Sequence, residues 1–135
     1  MAKKKPPLSS LTPEELQVRL NKIILSGLGK AWMFWPPRAE VKRRCAIPGK
    51  PGWWRCEDKE CNRETEKIEI DHIKPVVQPE IGFINWDVYI LSRFVTADKL
   101  QGLCHESHRK KTKEENARRR EMRCQKTNLN KSANE

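Results

Sequence analysis

The stretch IEIDHIKPVV, residues 68–77, decides how this chain is read. Ile68, Ile70 and Ile73 alternate with polar neighbours as in a half-buried strand, and Pro75 lacks the N–H needed to continue a ladder. The strand therefore ends just after Asp71 and His72, two ionisable side chains adjacent in sequence. One reading gives a metal to one of them and a proton to move to the other. The alternative leaves both as solvated turn residues, and the rest of the chain has to decide.

Downstream, Leu100, Leu103 and Cys104 predict a short second strand. From 104 onward helix propensity is high, with almost no apolar stripe until Met122. A helix starting near Cys104 presents His108 on its second turn, where it can face the end of the first strand and meet Asp71 across one metal ion. His72 then projects to the other side of the twisted strand end and stays off that ion. An oxygen and an imidazole nitrogen, completed by water and phosphate oxygens, suit Mg²⁺, Mn²⁺ or another divalent ion at a phosphodiester. The unliganded imidazole suits a general base, since its reference pKa lies near neutrality. Between the strands, Trp86, Tyr89, Ile90 and Phe94 share helical spacing and predict a helical insertion packed on the core.

Upstream, residues 1–11 form a flexible basic arm. Thr12 as N-cap, Pro13 and Glu15 then open a helix through a capping box. Leu16, Leu20, Ile23 and Ile24 share a face expected to pack in the core, and Gly27 is positioned to end the helix. Trp32, Phe34 and Trp35 read as core aromatics. Residues 38–45, RAEVKRRC, predict a short basic helix whose Lys42, Arg43 and Arg44 touch phosphates or face water. The turn-rich PGKPGWW at 48–54 leads to Cys56 and Cys61, and one arrangement is two short strands joined by a knuckle through the cysteines. The expected organisation is a basic arm at 1–11, a helical segment at 12–47, a catalytic core at 48–123 and a frayed tail at 124–135.

Lys and Arg number 28 against 18 Asp and Glu, a net charge of +10 on 135 residues. That field attracts polyanions. Nucleic acid fits better than a membrane surface, because no basic helix has a strong apolar face opposite. No run of about 18 apolar residues is available to span a bilayer. The Lys-rich start leads to PPLSS rather than a signal-peptide core, so the expected location is cytoplasmic. Five cysteines without a secretion signal point to metal ligation or free thiols rather than disulfides.

The motifs DHIKP at 71–75 and LQGLCHESHRKKT at 100–112 resemble the HNH endonucleases of ββα-metal fold. That family runs through Asp-His-Ile-x-Pro and, later, Leu-Gln-x-Leu-Cys-x-x-Cys-His-x-x-Lys-Thr. Asp71, His72, Cys104, His108, Lys111 and Thr112 fall in register. The likeness covers about residues 53 to 115. The insertion GFINWDVYILSRF is similar to one in phage-type members, and AWMFWPPR looks like that subgroup's amino-terminal part. The resemblance implies an α+β chain with a ββα-metal core, an added N-terminal helix and a helical insertion between the two strands. It also implies that His72 is the general base and that Asp71 and His108 hold the catalytic Mg²⁺ or Mn²⁺. Products of the family carry 5′-phosphate and 3′-hydroxyl ends. Phage-type members imply DNA processing near genome packaging, with terminase as a possible partner, in the host cytoplasm.

The chain departs from the pattern in two places. Where the family has Asn before Leu-Gln, Lys99 stands, so Asn85 or Asp98 takes over that role or activity is reduced. Where the family's zinc knuckle has two Cys-x-x-Cys pairs, this chain has Cys56 and Cys61 with four residues between them, then Cys104 with Ser107, a poor zinc ligand. A structural Zn²⁺ would then take Cys56, Cys61 and Cys104 with His105, or with Cys45 from outside the pattern. Without zinc these cysteines pack as small apolar side chains. Arg55, Lys74, Arg109, Lys110, Lys111 and Lys113 are expected to line the DNA phosphates around the scissile bond. With no base-reading module, sequence specificity is expected to be low. The alternative is a basic DNA-binding module that keeps the scaffold without hydrolysis. A zinc-knuckle adaptor explains the cysteines but neither the charge nor the Asp-His pair.

Overall fold

The structure is a computed structural model that describes residues 4–133. The first three residues of the expected arm and the last two of the expected tail lie outside it. The chain divides into two compact units, Met1–Phe34 and Trp35–Glu135. Its elements are mixed helices and small antiparallel sheets, an α+β chain.

The first unit is built on helix α1 (Pro13–Met33), preceded by a 3₁₀ turn at Leu8–Ser10. Its capping box forms as expected: Thr12 Oγ1 accepts from the Glu15 N–H at 3.2 Å, and Glu15 Oε2 accepts from the Thr12 N–H at 2.9 Å. Two expectations fail. The helix runs through Gly27, because one interior glycine costs only about 1 kcal/mol against alanine. It stops instead just before Pro36 and Pro37, whose rings disfavour helical backbone in the residue ahead of them. Leu16, Leu20 and Ile23 are 43, 45 and 59% exposed, since a unit made of one long helix offers them no second layer. Phe34, expected in the core, is likewise exposed.

The second unit begins with helix α2 (Pro36–Cys45), which packs on the strands described below. The unit boundary therefore falls before this helix rather than after residue 47. Val41 and Cys45, four residues apart on one face, are its buried side chains. Arg44 is spent internally. It makes a bidentate pair with Glu57 at 2.9 and 2.7 Å and donates to the carbonyls of Ala97 and Leu100.

Strands β1 (Trp54–Arg55) and β2 (Glu64–Thr65) pair antiparallel, and the turn between them carries Cys56 and Cys61. Asn62 adopts φ 46°, one of the left-handed conformations that asparagine tolerates best among side-chain-bearing residues. Strand β3 (Glu69–His72) pairs antiparallel with β4 (Leu100–Leu103), placing Asp71 opposite Gln101 and His72 opposite Leu100. Gly102 is required by close approach: a Cβ there would lie 2.6 Å from both Cys45 Sγ and Ile68 Cδ1.

Between these strands lies helix α3 (Trp86–Arg93), capped by Asn85 Oδ1 accepting from the Val88 N–H. Phe83, Trp86 and Tyr89 pack ring to ring at 5.0 to 6.2 Å. Trp35 stacks edge-on with Phe94 and donates from Nε1 to the Val95 carbonyl. Helix α4 (His105–Ser132) closes the chain. It absorbs most of the stretch expected to fray: residues 124–132 are helical, with neither Gly nor Pro among them to break the helix. Val41, Leu100, Leu103, Cys45, Cys56 and Cys104 are buried at the centre of the unit. Among the described residues no helix is long and apolar enough to cross a membrane.

Candidate active site and metal centre

Alternation along β3 separates its two ionisable neighbours. Asp71 faces α4, where Oδ1 lies 3.9 Å from His108 Nε2. His72 turns the other way, and Nε2 lies 2.7 Å from the carbonyl oxygen of Arg93 at the end of α3. A carbonyl can only accept, so this bond fixes the ring proton on Nε2 and leaves Nδ1 as the basic nitrogen. Burial pushes the His72 imidazole below its ordinary value, against the Arg93 carbonyl bond and the Asp71 charge, which pull upward. The shift favours the neutral ring. It lines a cleft of about 470 Å³ with Lys74, Leu91, Asp98 and Lys99, so it is not sealed in apolar packing.

One divalent ion can reach both Asp71 and His108, because two bonds of about 2.1 Å span separations up to about 4.2 Å. The remaining groups around the pair fit that charge. Glu69, two residues ahead of Asp71 and on the same strand face, places Oε2 3.5 Å from His108 Nδ1 and 3.3 Å from His105 Nδ1. That oxygen is closed off from solvent and has no well-formed hydrogen bond. His108 turns Nδ1 to the Glu69 carboxylate and Nε2 to Asp71, the ring orientation usual for a metal-bound histidine backed by a carboxylate. Asp71 Oδ2 is held separately, by Lys111 Nζ at 2.6 Å and Gln101 Nε2 at 3.3 Å. Lys111 also donates to the His72 carbonyl and pairs with Glu115 at 3.0 Å.

The basic residues expected at DNA divide into two sets. Lys74, Arg109 and Lys113 are exposed. Arg55 is engaged by Glu64 and the Asn62 carbonyl, Lys110 reaches Glu60 at 3.4 Å, and Lys111 is tied into the site itself. Lys111 therefore positions Asp71 rather than standing at the surface. Where the family pattern has Asn, Lys99 borders the His72 cleft, and its carbonyl accepts from the Ile73 N–H, closing the β3–β4 pair. Asn85 is spent on its helix cap, and Asp98 is exposed with its carboxyl lowered first by the Thr96 hydroxyl.

Cys56, Cys61 and Cys104 converge, their sulfurs all within 4.8 Å of one another, and this cluster can hold a metal ion. Burial raises the Cys56 thiol, whereas the Arg63 backbone N–H and then the Ser107 hydroxyl draw Cys61 down to about 7. His105 does not join the sulfurs: one residue past the Cys104 cap, its exposed ring turns to Glu69 instead. Cys45 is also elsewhere, against Gly102. The group beside the sulfurs is Ser107, three residues beyond Cys104 and so on the same side of the first turn. Sequence reasoning named Ser107 only to set it aside as a poor zinc ligand and missed Glu69, although both lie at spacings, i+3 on a helix and i−2 on a strand, that put them beside a named ligand. Comparison with protein-family models, curated proteins and solved structures finds no match to this chain.

Proposed function

We propose that this chain is a divalent-metal-dependent HNH-type endonuclease that hydrolyses phosphodiester bonds of duplex DNA with low intrinsic sequence specificity. The observation that carries this reading is the division of labour at one strand end: Asp71 and His108 are 3.9 Å apart on the α4 side, with His72 bonded through Nε2 on the α3 side. A scaffold without hydrolysis has no physical need for that trio.

In this mechanism Asp71 and His108 hold Mg²⁺ or Mn²⁺, which when bound supplies positive charge to the attacked phosphate and the departing 3′ oxygen. His72 Nδ1 takes a proton from water as the water oxygen bonds to phosphorus. The P–O3′ bond breaks, leaving a 5′-phosphate and a 3′ oxyanion that takes a proton from solvent water to become the 3′-hydroxyl. The Arg93 carbonyl orients the imidazole and favours its positive charge once the proton arrives. Lys74 and Lys99 in the cleft, with Arg109 and Lys113 on α4, suit phosphates on either side of the scissile bond. Cys56, Cys61 and Cys104 serve a separate structural Zn²⁺ that ties the β1–β2 turn to the start of α4. A phage packaging context with terminase remains part of this reading by resemblance.

Supercoiled plasmid incubated with the purified chain and Mg²⁺ or Mn²⁺ tests the proposal. Relaxation that EDTA abolishes is the expected result. Binding of plasmid without any nicking, in either metal, would favour the inactive DNA-binding module instead.

A further inference from the structure

Ser107 stands where the knuckle would need a fourth thiolate, and its hydroxyl is placed as a ligand would be. Cys61 Sγ and Cys104 Sγ are 3.7 Å apart, and Ser107 Oγ is 3.4 Å from Cys104 Sγ and 3.5 Å from Cys56 Sγ. A tetrahedron around a zinc-sized ion, with bonds of about 2.3 Å to sulfur and about 2.1 Å to oxygen, has S···S edges of about 3.8 Å and S···O edges of about 3.6 Å. The Cys61–Cys104 edge and the two Ser107 edges lie close to those values, and the other two sulfur–sulfur separations are within 4.8 Å. Thiol–hydroxyl contacts alone reproduce the S···O separations, so the convergence of three sulfurs is what turns the contacts into a coordination polyhedron.

The local backbone supports anionic sulfur. The Cys104 N–H donates to Cys56 Sγ at 3.3 Å, and the Ser107 N–H donates to Cys104 Sγ at 3.5 Å. Cys104 is the N-cap of α4, so its sulfur also sits at the positive end of a long helix. Ser107 itself is buried at 8% exposure. A cleft of about 330 Å³, bordered by Cys61, Arg63, Ser107 and Lys110, opens beside it.

We propose that Cys56, Cys61, Cys104 and Ser107 form one S₃O site for a thiophilic divalent cation, with the serine hydroxyl holding the fourth vertex. Three thiolates and a neutral hydroxyl leave the filled site at charge −1, where four thiolates give −2. The hydroxyl is the weakest donor of the four and borders the cleft, so it is the vertex that a small exogenous ligand displaces. This inference deepens the structural-metal reading and is independent of the nuclease assignment.

Co²⁺ titration of the full chain under reducing conditions, followed by near-ultraviolet and visible absorption, tests it. Sulfur-to-cobalt charge transfer reports only this centre, because the Asp71–His108 site has no sulfur. The parent is expected to take one tetrahedral Co²⁺. Ser107→Ala is expected to weaken that binding several-fold and alter the visible bands. Ser107→Cys is expected to tighten it by about tenfold or more and to raise charge-transfer intensity by about a third, from three sulfurs to four. A parent that takes up no cobalt overturns the structural-metal reading itself. A parent that binds cobalt, with Ser107→Ala unchanged in affinity and spectrum or Ser107→Cys showing no added charge transfer, overturns the hydroxyl assignment alone.

Discussion

Lys111 Nζ lies 2.6 Å from Asp71 Oδ2, on the oxygen that does not face His108. The carboxylate is therefore split between two tasks, one oxygen held by an ammonium and the other aimed at the proposed ion. The same ammonium bonds the His72 carbonyl and Glu115, so one lysine braces the strand end against α4.

That brace predicts the behaviour of Lys111→Met. The substitution leaves the carboxylates of Asp71 and Glu115, 18 and 15% exposed, without their shared cation. The expected loss is about 1–3 kcal/mol of stability, read as a lower Tm. Adding Mn²⁺ should recover more of the Tm in the variant than it adds to the parent, because the ion replaces part of the missing positive charge. A variant that melts with the parent, with or without Mn²⁺, would contradict this role.

On the proposed mechanism His72→Ala removes the base without touching Asp71 or His108. Plasmid nicking is expected to fall by about 10²–10⁴-fold, the usual contribution of a positioned proton acceptor. DNA affinity by gel shift and Mn²⁺ affinity by calorimetry should stay within error of the parent. Cleavage at the parent rate would remove His72 from the mechanism.

In the proposed site Glu69 would act through His108 rather than on substrate. Glu69→Ala is expected to weaken Mn²⁺ binding by about 10–100-fold, and Glu69→Gln, which keeps an acceptor oxygen but no charge, by less. Calorimetry on the full chain reads both. Equal affinity across the three proteins would show that the 3.5 Å approach to His108 Nδ1 has no consequence for the ion.

Cys45 provides a pH test away from either metal. Burial first, then the hydrogen bond and charge of Glu57, pushes its thiol from 9.0 up to about 12. A pKa higher in the folded chain means that this thiol's stabilising contribution is complete below pH 9 and lost as pH rises toward 12. At pH 8, iodoacetamide should label exposed Cys124 while Cys45 reacts only after denaturation, as peptide mass spectrometry would detect. Labelling of both at one rate would contradict the burial argument.

The sequence by itself determined the order strand, insertion, strand, helix, and the placement of Asp71, His72 and His108 on it. Strand alternation and helix start signals act over a few residues and are readable without the fold. The Thr12 capping box was legible for the same reason, and the helical insertion was legible from the spacing of Trp86, Tyr89, Ile90 and Phe94; the Asn85 cap was not read. Only the tertiary structure decided what depends on distance in space. Arg44 had equal claims on phosphate and water until Glu57 and two carbonyls, 13 to 56 residues away, were brought around it. The face carrying Leu16 and Ile23 has core periodicity, but periodicity cannot say whether a second layer exists to cover it. His105 and Ser107 were both near Cys104 in the chain. The helical turn sends one side chain to Glu69 and the other to the sulfurs, a choice of direction that spacing alone leaves open until the helix is docked.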